Sequence, residues 1–151
     1  MLSIGNMMPE AYAQIKGSPT FPKISGEVYF YDVHGGTLVA AEITGLPAGD
    51  TFHGFHIHEG NSCSGTPAEP FKNARGHYNP EKTLHPNHAG DMPPLLAVEG
   101  NAFLMFYTGR FHPEDVVGRT VIIHAMPDDF KTQPSGDAGA MIACGEIRTE
   151  N

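Results

Sequence analysis

Residues 26–46 read GEVYFYDV-HGG-TLVAAEITGL, two runs of alternating character joined at His34-Gly35-Gly36. In the first run Val28 and Phe30, with Asp32, fall on one face, and Tyr29, Tyr31 and Val33 fall on the other. Side chains alternate across a strand, so this period of two is the signature of β-structure with one face turned to a core. Two glycines at the joint mark a hairpin, because they accept the positive φ that its turn requires. The same period recurs along the chain, in YAQIKG (12–17), HGFHIHE (53–59), LLAVEG (95–100), AFLMFYT (102–108), GRTVIIHA (118–125) and AMIACGEIRT (140–149). No segment sustains a 3.6-residue period over a dozen positions. About eight short strands are expected, and the fold class is all-β, an antiparallel sandwich or flattened barrel.

The 151 residues suit one domain, 1–151, in which residues 1–11 are expected to form a loose N-terminal extension. Hydrophobic residues make up 40 % of the chain, enough for an ordinary core, while 18 glycines and 13 prolines call for many turns. Apolar runs are too short for a membrane-spanning helix. The net charge of −8 and scattered Lys and Arg argue against a nucleic-acid partner, which needs clustered positive charge. The opening residues lack the basic and apolar regions of a signal peptide, so a cytoplasmic location is expected, with a secreted or cell-envelope one if a leader has been removed. Cys63 and Cys144 do not form a CxxC pair, and cysteine count alone leaves both free thiols and one long-range disulfide open.

Two stretches escape the strand pattern, residues 60–94 and 125–139. Ordered loops of such length usually carry function. Six of the nine histidines cluster in or beside them: His56 and His58, then His77, His85 and His88 with Asp91, then His124. Neutral imidazole is the commonest transition-metal ligand. Alternation puts His56 and His58 on one face of their strand, and Phe55 and Ile57 on the other. The spacing of His85, His88 and Asp91 gives an N/O donor set suited to zinc. Seven donor residues exceed what one tetrahedral or tetragonal ion accepts, but they suit two adjacent ions that share a ligand. His77 lies between the groups and could join either, or bridge both through its two ring nitrogens. His34 and His112 read as surface residues, and His53 as structural. A mononuclear zinc hydrolase would use fewer donors, and a carbohydrate- or protein-binding sandwich would leave the histidines incidental.

The segments GFHIHEG (54–60), GHYNP (76–80), HPNHAGDMP (85–93), GRTVIIHAMPDD (118–129) and GDAGAMIACGEI (136–147) resemble, in order, the motif series of the copper–zinc superoxide dismutases, bacterial type. The resemblance runs from about Tyr12 to Ile147. It implies an eight-stranded Greek-key β-barrel and two cofactors, copper and zinc. Copper would be held by His56, His58, His77 and His124, the implied catalytic residues. Zinc would be held by His77, His85, His88 and Asp91. The resemblance further implies a Cys63–Cys144 disulfide, and a role for Asp128 in accepting hydrogen bonds from one copper-ligand and one zinc-ligand imidazole. The implied reaction is disproportionation of superoxide to O₂ and hydrogen peroxide by Cu(II)/Cu(I) cycling. The implied partner is the superoxide anion, and a homodimer is one assembly the family offers.

One position departs from the pattern. Where the family carries an arginine three residues before the last cysteine, this chain has Met141. A thioether has no charge with which to guide an anion, so a reduced rate is expected unless Lys72, Arg75 or Lys82 substitutes; the second long loop offers only Lys131. Met141 also favours the alternative of a non-catalytic relative that stores or delivers copper.

Overall fold

A computed structural model describes residues 6–149. Nine strands are formed among the described residues: β1 (Ala11–Gly17), β2 (Ser25–Val33), β3 (Gly36–Thr44), β4 (Thr51–His53), β5 (Phe55–His58), β6 (Leu95–Ala97), β7 (Ala102–Thr108), β8 (Thr120–His124) and β9 (Met141–Thr149). Helix among the described residues is limited to a turn of 3₁₀ helix at Lys72–Ala74 and one α-helical turn, α1 (Pro113–Val116). Neither is long and apolar enough to cross a membrane. The expected class stands, with two adjustments. The run 53–59 is two strands, because the chain breaks at Gly54. β1 begins at Ala11, a fully buried residue that the sequence reading assigned to the extension, and the amide of Glu10 already donates to the carbonyl of Phe30. Residues 1–5 of that extension lie outside the described residues.

All pairings are antiparallel. One sheet runs β5-β8-β9-β1-β2-β3-β7, and a second pairs β4 with β6. The broken strand β4/β5 belongs to both, and β6 continues into β7 through a turn closed by Val98 and Asn101, so the two sheets join around one interior. The connections from β3 to β4 and from β7 to β8 each pass over intervening strands, the Greek-key pattern.

The hairpin 26–46 pairs residue for residue from Ser25↔Thr44 to Val33↔Gly36. Val28 and Phe30 point into the core with Ile15, Val39 and Ile43, while Asp32 is exposed. Burying one such side chain stabilises by roughly 1.5–3 kcal/mol. The strands that carry the histidines behave differently. β5 and β8 are buried along their whole length. Phe55, Ile57, Val121 and Ile123 face the core, so the alternate face, with His56, His58 and His124, is buried only because the two long loops lie over it. Beneath the first loop a small second core forms from Phe71, Ala74, Ile122 and Cys144, with Cys63 and Met141 against it. Cys63 and Cys144 are joined by a disulfide.

Candidate metal centre

The first long loop is tied to β5 through the main chain of Ile57. Its amide donates to the carbonyl of Gly90 and its carbonyl accepts from the amide of Tyr78, both at 2.8 Å. These bonds set His77 opposite His58 and Asp91 opposite His56. Two arginines fasten the loop from outside. Arg110 donates to the carbonyls of Pro86 and His88, and Arg119 lies over the Tyr78 ring, 4.1 Å from its centroid.

The second loop supplies Asp128. Its two oxygens accept from His56 Nε2 at 2.7 Å and His85 Nε2 at 2.8 Å. Gly136 makes room for this bridge. It has φ of +71°, and a Cβ there would fall 1.9 Å from Asp128 Oδ1 and 2.7 Å from His85 Nε2. Gly54 serves similarly between β4 and β5, where a Cβ would crowd Ala138, His56 and His124. Gln133 clasps the two loops together: its side chain accepts from the His85 amide and donates to the His85 carbonyl, at 2.9 and 2.8 Å.

Each bond fixes a tautomer. His56 and His85 donate through Nε2 to Asp128, His58 through Nδ1 to the Arg75 carbonyl at 2.7 Å, and His124 through Nδ1 to the Gly139 carbonyl at 3.0 Å. The opposite nitrogens are left bare. His56 Nδ1, His58 Nε2, His77 Nε2, His85 Nδ1 and His124 Nε2 are all buried without a hydrogen-bond partner. Such atoms are costly unless something binds them. They converge: His56, His58, His77 and His124 offer donor atoms within 4.8 Å of one another. A second group with the same closeness comprises His56, His77, His85 and Asp91. His56 enters that group by proximity, although its Nε2 is engaged by Asp128. His88 stands at the same place, its Nδ1 3.1 Å from both His77 Nδ1 and Asp91 Oδ2. Asp91 also accepts from His77 Nδ1 at 2.8 Å and lies 3.0 Å from His85 Nδ1 without the geometry of a hydrogen bond. His77 thus belongs to both groups, with Nε2 bare and Nδ1 among the second set.

Burial disfavours the charged form of His56, His58 and His124. Desolvation lowers the pKa of His56, carries that of His58 well below the usual histidine value, and takes His124 down to about 3. The two aspartates go the other way from what burial favours. Burial raises a carboxyl, but in Asp91 the bond to His77 and the charges of His77, His85 and His88 outweigh it, and in Asp128 the bonds from His56, His85 and the Phe130 amide do so. Both are therefore held below the ordinary carboxylate range and are ionised. That is the protonation state in which these groups ligate a cation or orient its ligands.

The remaining histidines belong to neither donor group, although His53 Nε2 is also buried without a partner. His34 and His112 are exposed, and His112 pairs with Asp32 at 3.2 Å. His53 is buried and donates through Nδ1 to the carbonyl of His124 at 2.9 Å. Met141 is the first residue of β9 and sits opposite His124 in the ladder, at a register shift. Sequence reasoning missed Gln133, Gly136 and Gly54. The first two carry no local signal, since their partners are distant in sequence; a glycine inside an alternating run was the one available pointer to the third.

An antiparallel barrel with two adjoining nests of bare imidazoles, one including a carboxylate, is a metalloprotein built for two transition-metal ions. The family model described as copper/zinc superoxide dismutase (SODC) matches residues 24–147. The chain is 37 % identical over 143 residues to the superoxide dismutase [Cu-Zn] of Caulobacter vibrioides, covering 83 % of this chain and 79 % of that protein. It is 35 % identical over 147 residues to the superoxide dismutase [Cu-Zn] of Deinococcus radiodurans, covering 85 % of this chain and 80 % of the relative. The solved Cu/Zn superoxide dismutase from Brucella abortus superposes with a TM-score of 0.77 at 27 % identity, covering 91 % of this chain and 99 % of that one. The chain belongs to the copper/zinc superoxide dismutase family.

Proposed function

We propose that His56, His58, His77 and His124 hold copper, that His77, His85, His88 and Asp91 hold zinc, and that this pair makes the protein a superoxide dismutase. The donor sets support the assignment. An all-imidazole set suits copper, and a mixed imidazole–carboxylate set suits zinc, whose divalent charge the carboxylate offsets. Copper, when bound, supplies the one-electron exchange that turns superoxide into O₂ and hydrogen peroxide; zinc has no redox chemistry.

The protein's own groups perform the rest. Asp128 fixes the ring planes of His56 and His85, so a donor of each set answers to one carboxylate. The Arg75 and Gly139 carbonyls hold His58 and His124 with Nε2 directed inward. His77 presents one nitrogen to each set and is the group placed to hold or yield a proton between them. A cavity of about 380 Å³ gives access, bordered by His58, His77, His124 and Met141.

The single observation that carries the proposal is the double membership of His77. The test is elemental analysis of purified protein paired with pulse radiolysis of superoxide decay. One copper and one zinc per chain with rapid decay is expected. Met141 favours a second reading, a protein that stores copper, and full metal content with no decay above background would select it. A homodimer, one assembly the family offers, is checked by analytical ultracentrifugation, and the expected cytoplasmic location by cell fractionation; a single-chain mass, or recovery outside the cytoplasm, would exclude them.

A further inference from the structure

We infer that Arg75, from the first long loop, is the cation that draws the anionic substrate into the copper-side cavity, the task that Met141 at the start of β9 cannot perform. The inference rests on the function proposed above and concerns the residue that determines anion selectivity.

The argument begins with the walls of the cavity. Met141, Phe71 and Pro70 give it an apolar lining beside His58, His77 and His124. A single charge acts further against such low-dielectric walls than in open water. Two ordinary charges border the space, Glu69 and Arg75. Glu69 is offset by its neighbour Lys72, whose Nζ lies 3.6 Å from Glu69 Oε2. Arg75 is exposed, and among the described residues its side chain makes no ion pair or hydrogen bond. The local balance at the mouth is therefore positive, although the chain as a whole carries −8.

The other guanidinium groups are committed elsewhere. Arg110 binds the Pro86 and His88 carbonyls, Arg119 lies over Tyr78, and Arg148 pairs with Glu146 at 2.6 Å. Lys82 and Lys131 do not border the cavity.

The backbone of Arg75 is held while its side chain is free. Its carbonyl accepts the 2.7 Å bond from His58 Nδ1, and it closes the Lys72–Ala74 turn at φ +63°. The residue is thereby anchored one hydrogen bond from a copper-set imidazole. The ligand class that fits is a small monovalent anion: superoxide in the reaction, azide as its unreactive stand-in.

The test uses the metal-loaded protein and the variants Arg75→Gln, Arg75→Lys, Lys82→Gln and the double variant Arg75→Gln/Met141→Arg. Azide affinity is read from the visible spectrum, kcat/KM against ionic strength, and metal content by elemental analysis. In Arg75→Gln, azide is expected to bind about fivefold more weakly or worse, with a similar loss of kcat/KM at low salt and a flattened salt dependence. Arg75→Lys should retain most of both, Lys82→Gln should match the parent protein, and the double variant should recover azide binding. Metal content should be the same throughout, because the bond to His58 comes from the main chain. Unchanged azide affinity and salt dependence in Arg75→Gln would overturn the inference, as would an equal loss in Lys82→Gln or a loss of metal from Arg75→Gln. If the parent protein fails to dismutate superoxide while Arg75→Gln still binds azide more weakly, the functional reading falls and the role of Arg75 stands.

Discussion

The carboxylate of Asp128 does two jobs with two oxygens. Each accepts an N–H from a different donor set, at 2.7 Å from His56 and 2.8 Å from His85. Neither bond can rearrange without releasing a ring of one of the proposed donor sets. Asp128→Asn keeps the shape but places an NH₂ where one imidazole N–H needs an acceptor. It is expected to weaken zinc or copper binding by about 10–100-fold, measured by competition against a chelator; affinities equal to those of the parent protein would refute a positioning role. Met141 poses the opposite case, a position where charge is missing. It borders the same cavity as His58, His77 and His124. Placing a guanidinium there with Met141→Arg should raise kcat/KM by roughly 5–30-fold, the equivalent of about 1–2 kcal/mol in a partly screened site. No gain, with the parent protein already near the diffusion limit, would mean that Arg75 and the remaining field already suffice.

Strands and loops differ in how plainly the chain announces them. The hairpin 26–46 could be read from period and glycines because both are local properties, and its register follows that reading from Ser25 to Thr44. The division of 53–59 could not, since the strand breaks at Gly54 while alternation continues on either side. α1 is a single turn, too short to leave a 3.6-residue period. The proposed donors of the metal centre were picked out by residue type and spacing, six of the nine histidines and one aspartate. The supports were not: Gln133 meets His85 across 48 positions, and Gly136 matters only where Asp128 folds against it. The disulfide was likewise implied by motif order, whereas cysteine count left it open. It joins the first long loop to β9 across 81 positions. In the chain-entropy account, closing a loop of that length stabilises by about 4–5 kcal/mol. Cys63→Ser with Cys144→Ser should therefore lower Tm by roughly 10 °C or more in calorimetry. It should loosen Phe71 and Ala74, which pack beside that bridge, before the main core. A Tm within a few degrees of the parent protein would show that the loop is held chiefly by Ile57 and the two arginines.

For the molecule as a whole, burying so many imidazoles makes stability depend on pH in a definite sense. Stripped of metal by a chelator, the folded protein resists protonation at His124, whose pKa burial takes to about 3, and at His56 and His58, which burial also lowers. The unfolded chain accepts those protons near pH 6.5. The unfolded state therefore binds more protons, and stability must fall as pH drops from about 6.5 toward 3. His124 alone should account for about 2 kcal/mol between pH 8 and pH 5. Asp91 and Asp128 act in the same direction at lower pH. Their carboxyls are held below the ordinary range, so the stability they confer is present above that range and lost as pH falls through it. The expected result is a metal-free Tm that drops by about 5 °C or more between pH 8 and pH 5 and keeps falling below it, followed by calorimetry. A flat or rising metal-free Tm over that interval would contradict the burial on which the site is built. In the metal-loaded protein, bound cations require the same bare nitrogens, so protons and metals compete for them. Its Tm should stay nearly level until metal is released and then fall more steeply than that of the stripped protein, because each departing ion exposes several imidazoles to protonation at once.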